Sequence, residues 1–346
     1  MRETNKISIG LGTTGNCNLN CPHCYSKPFR GHTLKFEQIS FLAEHENISS
    51  VNFGTGENIL NPDFPKIIDF FYEKGIKMSL TSNGYSVICM SDDILKKFND
   101  IDISLDFADQ TVQNDFRNGQ SWDFATKAMD KCRKLGIEFS TATALMNINY
   151  KEIPFLLKKV YQEGCNLRLN VFKKVIKAGI TQFALNYDEF WTAVNLLFSH
   201  GKLISCSEPV VNAMLNIKPK VEKSPCGRNS FRIHPNGTIV PCVYWPESKI
   251  KILDIEKNFS QIFEEESFKI INTIPRFCEE NCEKVNVCGG GCASRRFLNG
   301  RLDEPDEYCP IFKKKTIPKI SIEYLDNFKD LVHSTYLCTF IFEGKE

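Results

Sequence analysis

Hydrophobic residues follow two periodicities along the first two hundred positions. Short runs rich in β-branched and aromatic residues, such as ISIGL at 7–11 and IDISL at 101–105, have the composition of buried strands. Between such runs lie longer segments with apolar residues three or four positions apart, for example 61–75, which has a Pro near its start and a Gly at its end. The pattern predicts six strand–helix units between residue 5 and about residue 200.

Strands that alternate with helices predict an α/β fold with a parallel sheet, either doubly wound or an incomplete barrel. Polar and glycine-rich residues follow the predicted strands: a cysteine triad at 17–24, GTGE at 54–57, TSNG at 81–84, Asp106 and Asn170. In both architectures the carboxyl ends of the strands carry the active site. We therefore expect these residues to meet at one edge of the sheet.

The pattern changes after residue 200, and we divide the chain into four parts. Residues 1–200 form the predicted barrel and 201–225 a bridging segment. Residues 226–312 are rich in Cys, Gly and Pro, and PNG at 235–237 predicts a hairpin between two apolar runs. Residues 313–346 form a tail that begins with the charged KKKTIPK and contains a predicted strand, TYLCTFIF.

Composition narrows the function classes. The 346 residues are 42% hydrophobic and 25% charged, with a net charge of +1, so neither a nucleic acid nor an acidic membrane is indicated as a partner. The N-terminus lacks the apolar run of a signal peptide, and no apolar stretch approaches the length of a membrane span. We expect a cytoplasmic protein. In that reducing compartment, fifteen cysteines indicate metal ligands rather than disulfides.

The first cysteine cluster is GNCNLNCPHCY, in which Cys17, Cys21 and Cys24 have the spacing C-x3-C-x2-C. Three thiolates are one ligand short for a cubane iron–sulfur cluster, so one iron would stay open to a substrate or cofactor. A zinc site completed by His23 and a coincidence of unrelated cysteines are the alternatives.

The triad follows the first predicted strand of the α/β chain, and an aromatic residue, Tyr25, follows its last cysteine. Together with the cysteine spacing, this arrangement resembles the radical S-adenosylmethionine (SAM) superfamily. The resemblance implies a partial (β/α)6 barrel and a 4Fe–4S cluster whose open iron chelates SAM. GTGE stands where the family has GGE, so Thr55 replaces a glycine, and Asn58 stands where a proline is common. The implied SAM-site residues are Thr55, Gly56, Glu57, Ser82, Asn83, Ser104, Asp106 and Asn170.

The later cysteines resemble the SPASM extension of that superfamily, a small Cys-rich domain with two auxiliary 4Fe–4S clusters. Three residues separate Cys278 from Cys282, where the family has two. The resemblance implies one cluster on Cys278, Cys282, Cys288 and Cys309, and a second on Cys226, Cys242 and Cys292. The second has an open fourth site or an extra cysteine such as Cys206. A pair of zinc sites is the alternative. The scattered cysteines, including Cys338, are expected to be buried hydrophobes.

The resemblance also implies a substrate class. Most such enzymes modify peptides, so we expect a peptide-modifying oxidoreductase that forms an oxidative crosslink during ribosomal peptide maturation, with an external flavodoxin or ferredoxin as electron donor. Decarboxylation of a haem precursor and a non-catalytic iron–sulfur or zinc protein are the alternatives. The barrel begins by residue 5, so we expect either that a separate protein binds the leader peptide or that the substrate needs no leader. Val243 replaces the Asp of formylglycine-forming relatives. Two roles are open for Arg295, Arg296 and Arg301: they bind carboxylates of the substrate, or they are ordinary surface arginines beside the metal sites.

Overall fold

The structure is a computed structural model that describes residues 6–45, 48–217, 226–246, 248–255, 261–325 and 338–345. Its strands are β1 Ile7–Leu11, β2 Ile48–Phe53, β3 Lys77–Ser82, β4 Asp100–Ser104, β5 Phe139–Leu145, β6 Asn166–Val171, β7 Gly201–Cys206, β8 Ser230–Ile233, β9 Ile239–Val240 and β10 Thr339–Gly344. The six predicted strands correspond to β1 to β6.

Helices follow the strands of the barrel, and several short helices lie in the Cys-rich segment. They are α1 Phe36–Ile39, α2 Phe64–Glu73, α3 Tyr85–Cys89, α4 Asp92–Leu95, α5 Gln110–Arg117, α6 Ser121–Leu135, α7 Ile153–Glu163, α8 Tyr187–His200, α9 Pro209–Met214, α10 Ile252–Ile255, α11 Gln261–Glu264, α12 Glu266–Ile270, α13 Arg276–Asn281, α14 Val285–Cys288 and α15 Ala293–Leu298. Short 3-10 helices span Lys27–Phe29, Ser40–Glu44, Asn58–Leu60, Tyr150–Glu152 and Ile176–Ala178.

One sheet contains all ten strands, in the order β7-β10-β6-β5-β4-β3-β2-β1-β8-β9. Neighbours from β1 to β6 are parallel, as predicted. Apolar side chains of the strands and of the helices that cover them form the main core; Phe53 and Phe71, which lie edge to face, are fully buried there. Within the described residues no helix is long and apolar enough to cross a membrane.

Both ends of the sheet are built by residues beyond 200. Strand β8, from the Cys-rich segment, pairs in parallel with β1, and β9 returns antiparallel to β8 through the predicted PNG turn. On the other side β10 lies antiparallel between β6 and β7. The alternation was expected to stop at residue 201, yet β7 there continues the sheet. The domain boundaries stay a prediction, and the sheet itself does not divide at residue 200.

Candidate functional site

The cysteine triad lies in a cleft at the carboxyl ends of the parallel strands. We call this cavity, with an open volume of about 860 Å³, the cysteine cleft. Six of the eight residues predicted for the SAM site line it together with the three cysteines, namely Gly56, Glu57, Ser82, Asn83, Ser104 and Asn170. Residues from the ends of β2, β3, β4 and β6 therefore meet around the thiols, as the strand-end pattern predicts.

The loop that carries the triad is held from several sides. Arg30 donates to the carbonyls of Cys17 and Leu19, at 3.0 and 2.6 Å. The Glu57 N–H donates to the Asn16 carbonyl at 2.8 Å, which joins the loop to the end of β2. Gly56, the residue before Glu57, lies against the backbone of the loop with φ of +65°, and a Cβ there would come within 2.4 Å of the Thr14 carbonyl oxygen. This close approach explains why a glycine occupies the position.

The thiols of the triad suit metal binding by their chemistry and their surroundings. Burial raises the pKa of Cys21 to about 11, and burial together with Glu57 raises the pKa of Cys17. Without metal these thiols are therefore protonated at neutral pH, and cluster binding would release the protons. The Leu19 amide and the Asn83 side chain each donate to the Cys17 sulfur at 3.5 Å, which would stabilise a thiolate.

Glu57 organises the ends of β2 and β3. Its side chain is 1% exposed and accepts hydrogen bonds from the Ser82 hydroxyl at 2.5 Å, the Asn83 N–H at 3.0 Å and the Ser86 N–H at 2.8 Å. Burial raises the pKa of this carboxyl group. Glu57 therefore fixes the strand-end residues around the cleft as well as lining it.

Two predicted SAM-site residues lie elsewhere. Thr55 lines a neighbouring cavity of about 600 Å³ instead of the cysteine cleft. Asp106 is fully buried and lines none of the cavities described here; its carboxylate accepts from Arg117 Nη2 at 2.7 Å and Nε at 2.8 Å, and from the Ala144 N–H at 2.9 Å. Asp106 thus acts on the cleft through Arg117, which does line it.

The cysteines of the Cys-rich segment form two groups. In the first, burial together with the neighbouring Cys309 and Cys282 raises the pKa of Cys278 to about 11. Cys288 interacts with Cys309 and Cys278 in the same way. In the second group, Cys226 and Cys242 share a side-chain hydrogen bond. Cys292 is connected to this second group through Lys173, which interacts with both Cys292 and Cys242. The ligand assignment itself stays a prediction.

No group of three or more His, Cys, Asp or Glu side chains among the described residues is arranged to hold a single metal ion. A cubane is larger than one ion, and its thiolate ligands each bind a different iron atom, so they stand further apart. None of the fifteen cysteines, all of which lie in the described part of the chain, forms a disulfide. The donor type, the reduced state of the thiols and their grouping therefore fit iron–sulfur clusters.

A buried network supports the Cys-rich segment. Arg295 is 3% exposed and bridges Glu208 at 2.8 Å and Asp306 at 2.6 Å, and Asp306 accepts from the Cys292 N–H at 2.8 Å. Arg296 is also buried and donates to the Leu302 and Thr273 carbonyls. The surface role expected for these two arginines is therefore wrong, because both side chains are buried. The carboxylates that Arg295 binds belong to Glu208 and Asp306 of the fold itself, and Arg296 Nε has no hydrogen-bond partner among the described residues.

Several residues at the site were missed by sequence reasoning. Lys173 is buried beside the second cysteine group, and its ammonium lies 5.0 Å from the Tyr244 ring centroid. Tyr244 lines the cysteine cleft and lies 5.6 Å, centroid to centroid, from Tyr25, the aromatic residue after Cys24. Of these residues only Tyr25 could be noticed in the sequence, because it is the aromatic residue next to Cys24. Lys173 and Tyr244 are far from the cysteine triad in sequence and approach it only in the folded chain.

Comparisons with known proteins agree with this geometry. Residues 11–160 match the sequence profile of the Radical SAM superfamily. The matched residues form a radical SAM domain. The chain is 24% identical over 315 residues to the antilisterial bacteriocin subtilosin biosynthesis protein AlbA of Bacillus subtilis, covering 80% of this chain and 65% of AlbA. It is also 24% identical over 266 residues to GTP 3′,8-cyclase of Aliarcobacter butzleri, covering 69% of this chain and 81% of that enzyme.

The fold extends the similarity beyond the matched segment. SuiB of Streptococcus suis, solved with bound S-adenosylmethionine, superposes with a TM-score of 0.66 at 14% identity, over 88% of this chain and 76% of SuiB. The predicted α/β fold, a partial radical SAM barrel followed by a small Cys-rich part, is confirmed. So is the resemblance to radical SAM enzymes with a SPASM extension, at the level of family and fold. The radical SAM match implies a 4Fe–4S cluster and SAM.

Proposed function

We propose that this radical SAM protein is a peptide maturase that forms an oxidative crosslink. Cys17, Cys21 and Cys24 would hold a 4Fe–4S cluster and leave one iron for SAM. When bound and reduced, that cluster supplies the electron that cleaves SAM to a 5′-deoxyadenosyl radical, which takes a hydrogen atom from the substrate. Removal of a second electron from the substrate radical, with loss of a proton to solvent, completes a two-electron oxidation and allows the new bond to form.

One observation carries this proposal: the cysteine cleft adjoins two further cavities that lead to the Cys-rich segment. Tyr25 and Tyr244 line all three cavities. One of them, about 510 Å³, is lined mainly by apolar side chains, including Phe29, Val175 and Trp245. Such a path suits an extended peptide better than a compact substrate, and it would bring the reacting residue between the proposed SAM site and the second cysteine group.

The comparisons support the same substrate class. AlbA takes part in the biosynthesis of a bacteriocin, and SuiB has been solved bound to its precursor peptide SuiA. We further propose two auxiliary 4Fe–4S clusters on the two cysteine groups, because a product radical needs an electron acceptor. An external donor of the flavodoxin or ferredoxin type would reduce the first cluster. A separate leader-binding protein and a cytoplasmic location complete the proposal.

Mass spectrometry tests the reaction. The anaerobically reconstituted protein is incubated with SAM, dithionite and a short precursor peptide encoded beside its gene. A crosslink makes the peptide about 2 Da lighter, whereas epimerisation leaves its mass unchanged. A product about 44 Da lighter would indicate decarboxylation instead, and either of the last two results would contradict crosslinking. A variant with Cys17, Cys21 and Cys24 all changed to Ala should be inactive, while Cys89→Ala, at an exposed free cysteine, should behave as wild type.

A further inference from the structure

Cys338 lies just before β10, the strand that the tail inserts between β6 and β7. Its side chain is 5% exposed, and its carbonyl accepts from the Val171 N–H at 3.5 Å, at the carboxyl end of β6. The next residue, Thr339, donates to the Asn170 side-chain oxygen at 2.6 Å. Insertion of β10 therefore carries a cysteine from the far end of the chain to the edge of the sheet where the site lies.

The thiol of Cys338 faces the second cysteine group. It donates a hydrogen bond to the sulfur of Cys292. Within the same group, Cys226 donates to Cys242. The ammonium of Lys173 interacts with Cys338, Cys292 and Cys242 alike, so these sulfurs surround one buried cation. Three buried thiols thus interact with Lys173, and the fourth, Cys226, joins the group through its hydrogen bond with Cys242.

Cys206, the extra cysteine considered from the sequence, lies in a different environment. It ends β7, and its sulfur contacts the Glu208 carbonyl at 4.0 Å. Its pKa is raised by burial and by Glu208, with no contribution from another cysteine. Of the two candidates, Cys338 is the one placed among the ligands.

We propose that Cys338 is the fourth protein ligand of the auxiliary cluster held by Cys226, Cys242 and Cys292. The proposal rests on the proposed function, because it presupposes that this group binds a cubane. A cubane with four thiolate ligands has no open iron for substrate, so its chemistry is electron transfer: it would accept one electron from the substrate radical and pass it on. Lys173 would offset part of the negative charge of such a cluster in its dry surroundings.

The test compares cysteine variants in a background that lacks the first cluster. Cys17, Cys21 and Cys24 are changed to Ala, because the open iron of that cluster would interfere with the readout. The protein is reconstituted anaerobically, its iron is counted, and it is then treated with ferricyanide. A cubane with an open iron loses that iron and shows the electron paramagnetic resonance signal of a three-iron cluster, whereas a fully ligated cubane resists.

We expect about eight irons per chain and little three-iron signal in this background. Addition of Cys338→Ala should raise the signal to about one cluster per chain, and the matched Cys206→Ala should not. A full signal with Cys338 present, or equal signals from the two variants, would overturn the proposal. A background protein that binds no iron would instead overturn the proposed auxiliary clusters.

A second variant guards against misfolding. Cys338→Ser keeps the size and polarity of the side chain and replaces only the sulfur. If Cys338 is a ligand, this change should shift the reduction potential of one auxiliary cluster, while Cys206→Ser leaves both potentials unchanged. Potentials unchanged in both serine variants would show that Cys338 is only a buried side chain.

Discussion

The ion pair between Asp106 and Arg117 offers a quantitative test of how the cysteine cleft is supported. The Asp106 side chain is fully buried and that of Arg117 is 8% exposed. Burial alone would lower the pKa of Arg117, but Asp106 raises it above its usual value. In Asp106→Asn the guanidinium loses its counter-charge, and the new amide N–H group faces either Arg117 or the Ala144 N–H, both of which are donors.

The expected cost follows from this burial. Removal of one partner from a buried pair leaves an uncompensated charge and costs about 3–5 kcal/mol. Asp130→Asn is the matched control, because Asp130 pairs with Arg133 at the same 2.7 Å but with side chains 61% and 45% exposed. Such exposed pairs contribute about 0–1 kcal/mol.

Guanidinium titration of the reduced apoprotein measures both changes in the free energy of unfolding. A double variant, Asp106→Asn with Arg117→Met, removes both charges and should regain part of the lost stability. The Arg117 carbonyl accepts from the Cys21 thiol at 3.7 Å, so the single variant should also retain less iron. Equal losses for Asp106→Asn and Asp130→Asn would refute the claim that this pair supports the cleft.

Three further changes test other parts of the site. Gly56→Ala should abolish iron binding at the triad, because its Cβ meets backbone 2.4 Å away, whereas Gly75→Ala, with open space around it, should cost only about 1 kcal/mol in a denaturation assay. Glu57→Gln replaces an acceptor with a donor and should weaken SAM binding at least about tenfold in calorimetry; unchanged affinity would contradict its role. Lys173→Met should lower the potential of one auxiliary cluster by roughly 50–100 mV in a redox titration, and Lys177→Met, at an exposed lysine, should not.

The barrel could be predicted from sequence because each of its strands and helices has a recognisable local pattern of apolar residues. The strands from β1 to β6 each carry a short apolar run, and parallel order follows from the helices between them. Cys17, Cys21 and Cys24 could be predicted as cluster ligands because their spacing is itself a chemical pattern. The strand ends then predicted most of the cleft lining, from Gly56 to Asn170.

What could not be predicted depends on contacts between distant segments. The tail strand β10 inserts beside β6, more than 160 residues earlier in the chain, and no local pattern encodes that pairing. For the same reason Cys338 was expected to be an isolated hydrophobe. Asp106 and Arg295 could be recognised as polar, but their partners, Arg117 and Asp306, appear only once the chain is folded.

The most direct test of the central claim is SAM cleavage by the reduced protein. The anaerobically reconstituted protein, given dithionite and SAM, should form 5′-deoxyadenosine, detected by liquid chromatography and mass spectrometry. The variant with Cys17, Cys21 and Cys24 all changed to Ala should form none, and Cys89→Ala should match the wild type. If the iron-loaded wild-type protein yields no 5′-deoxyadenosine, the cysteine cleft does not generate a radical and the proposed function is wrong.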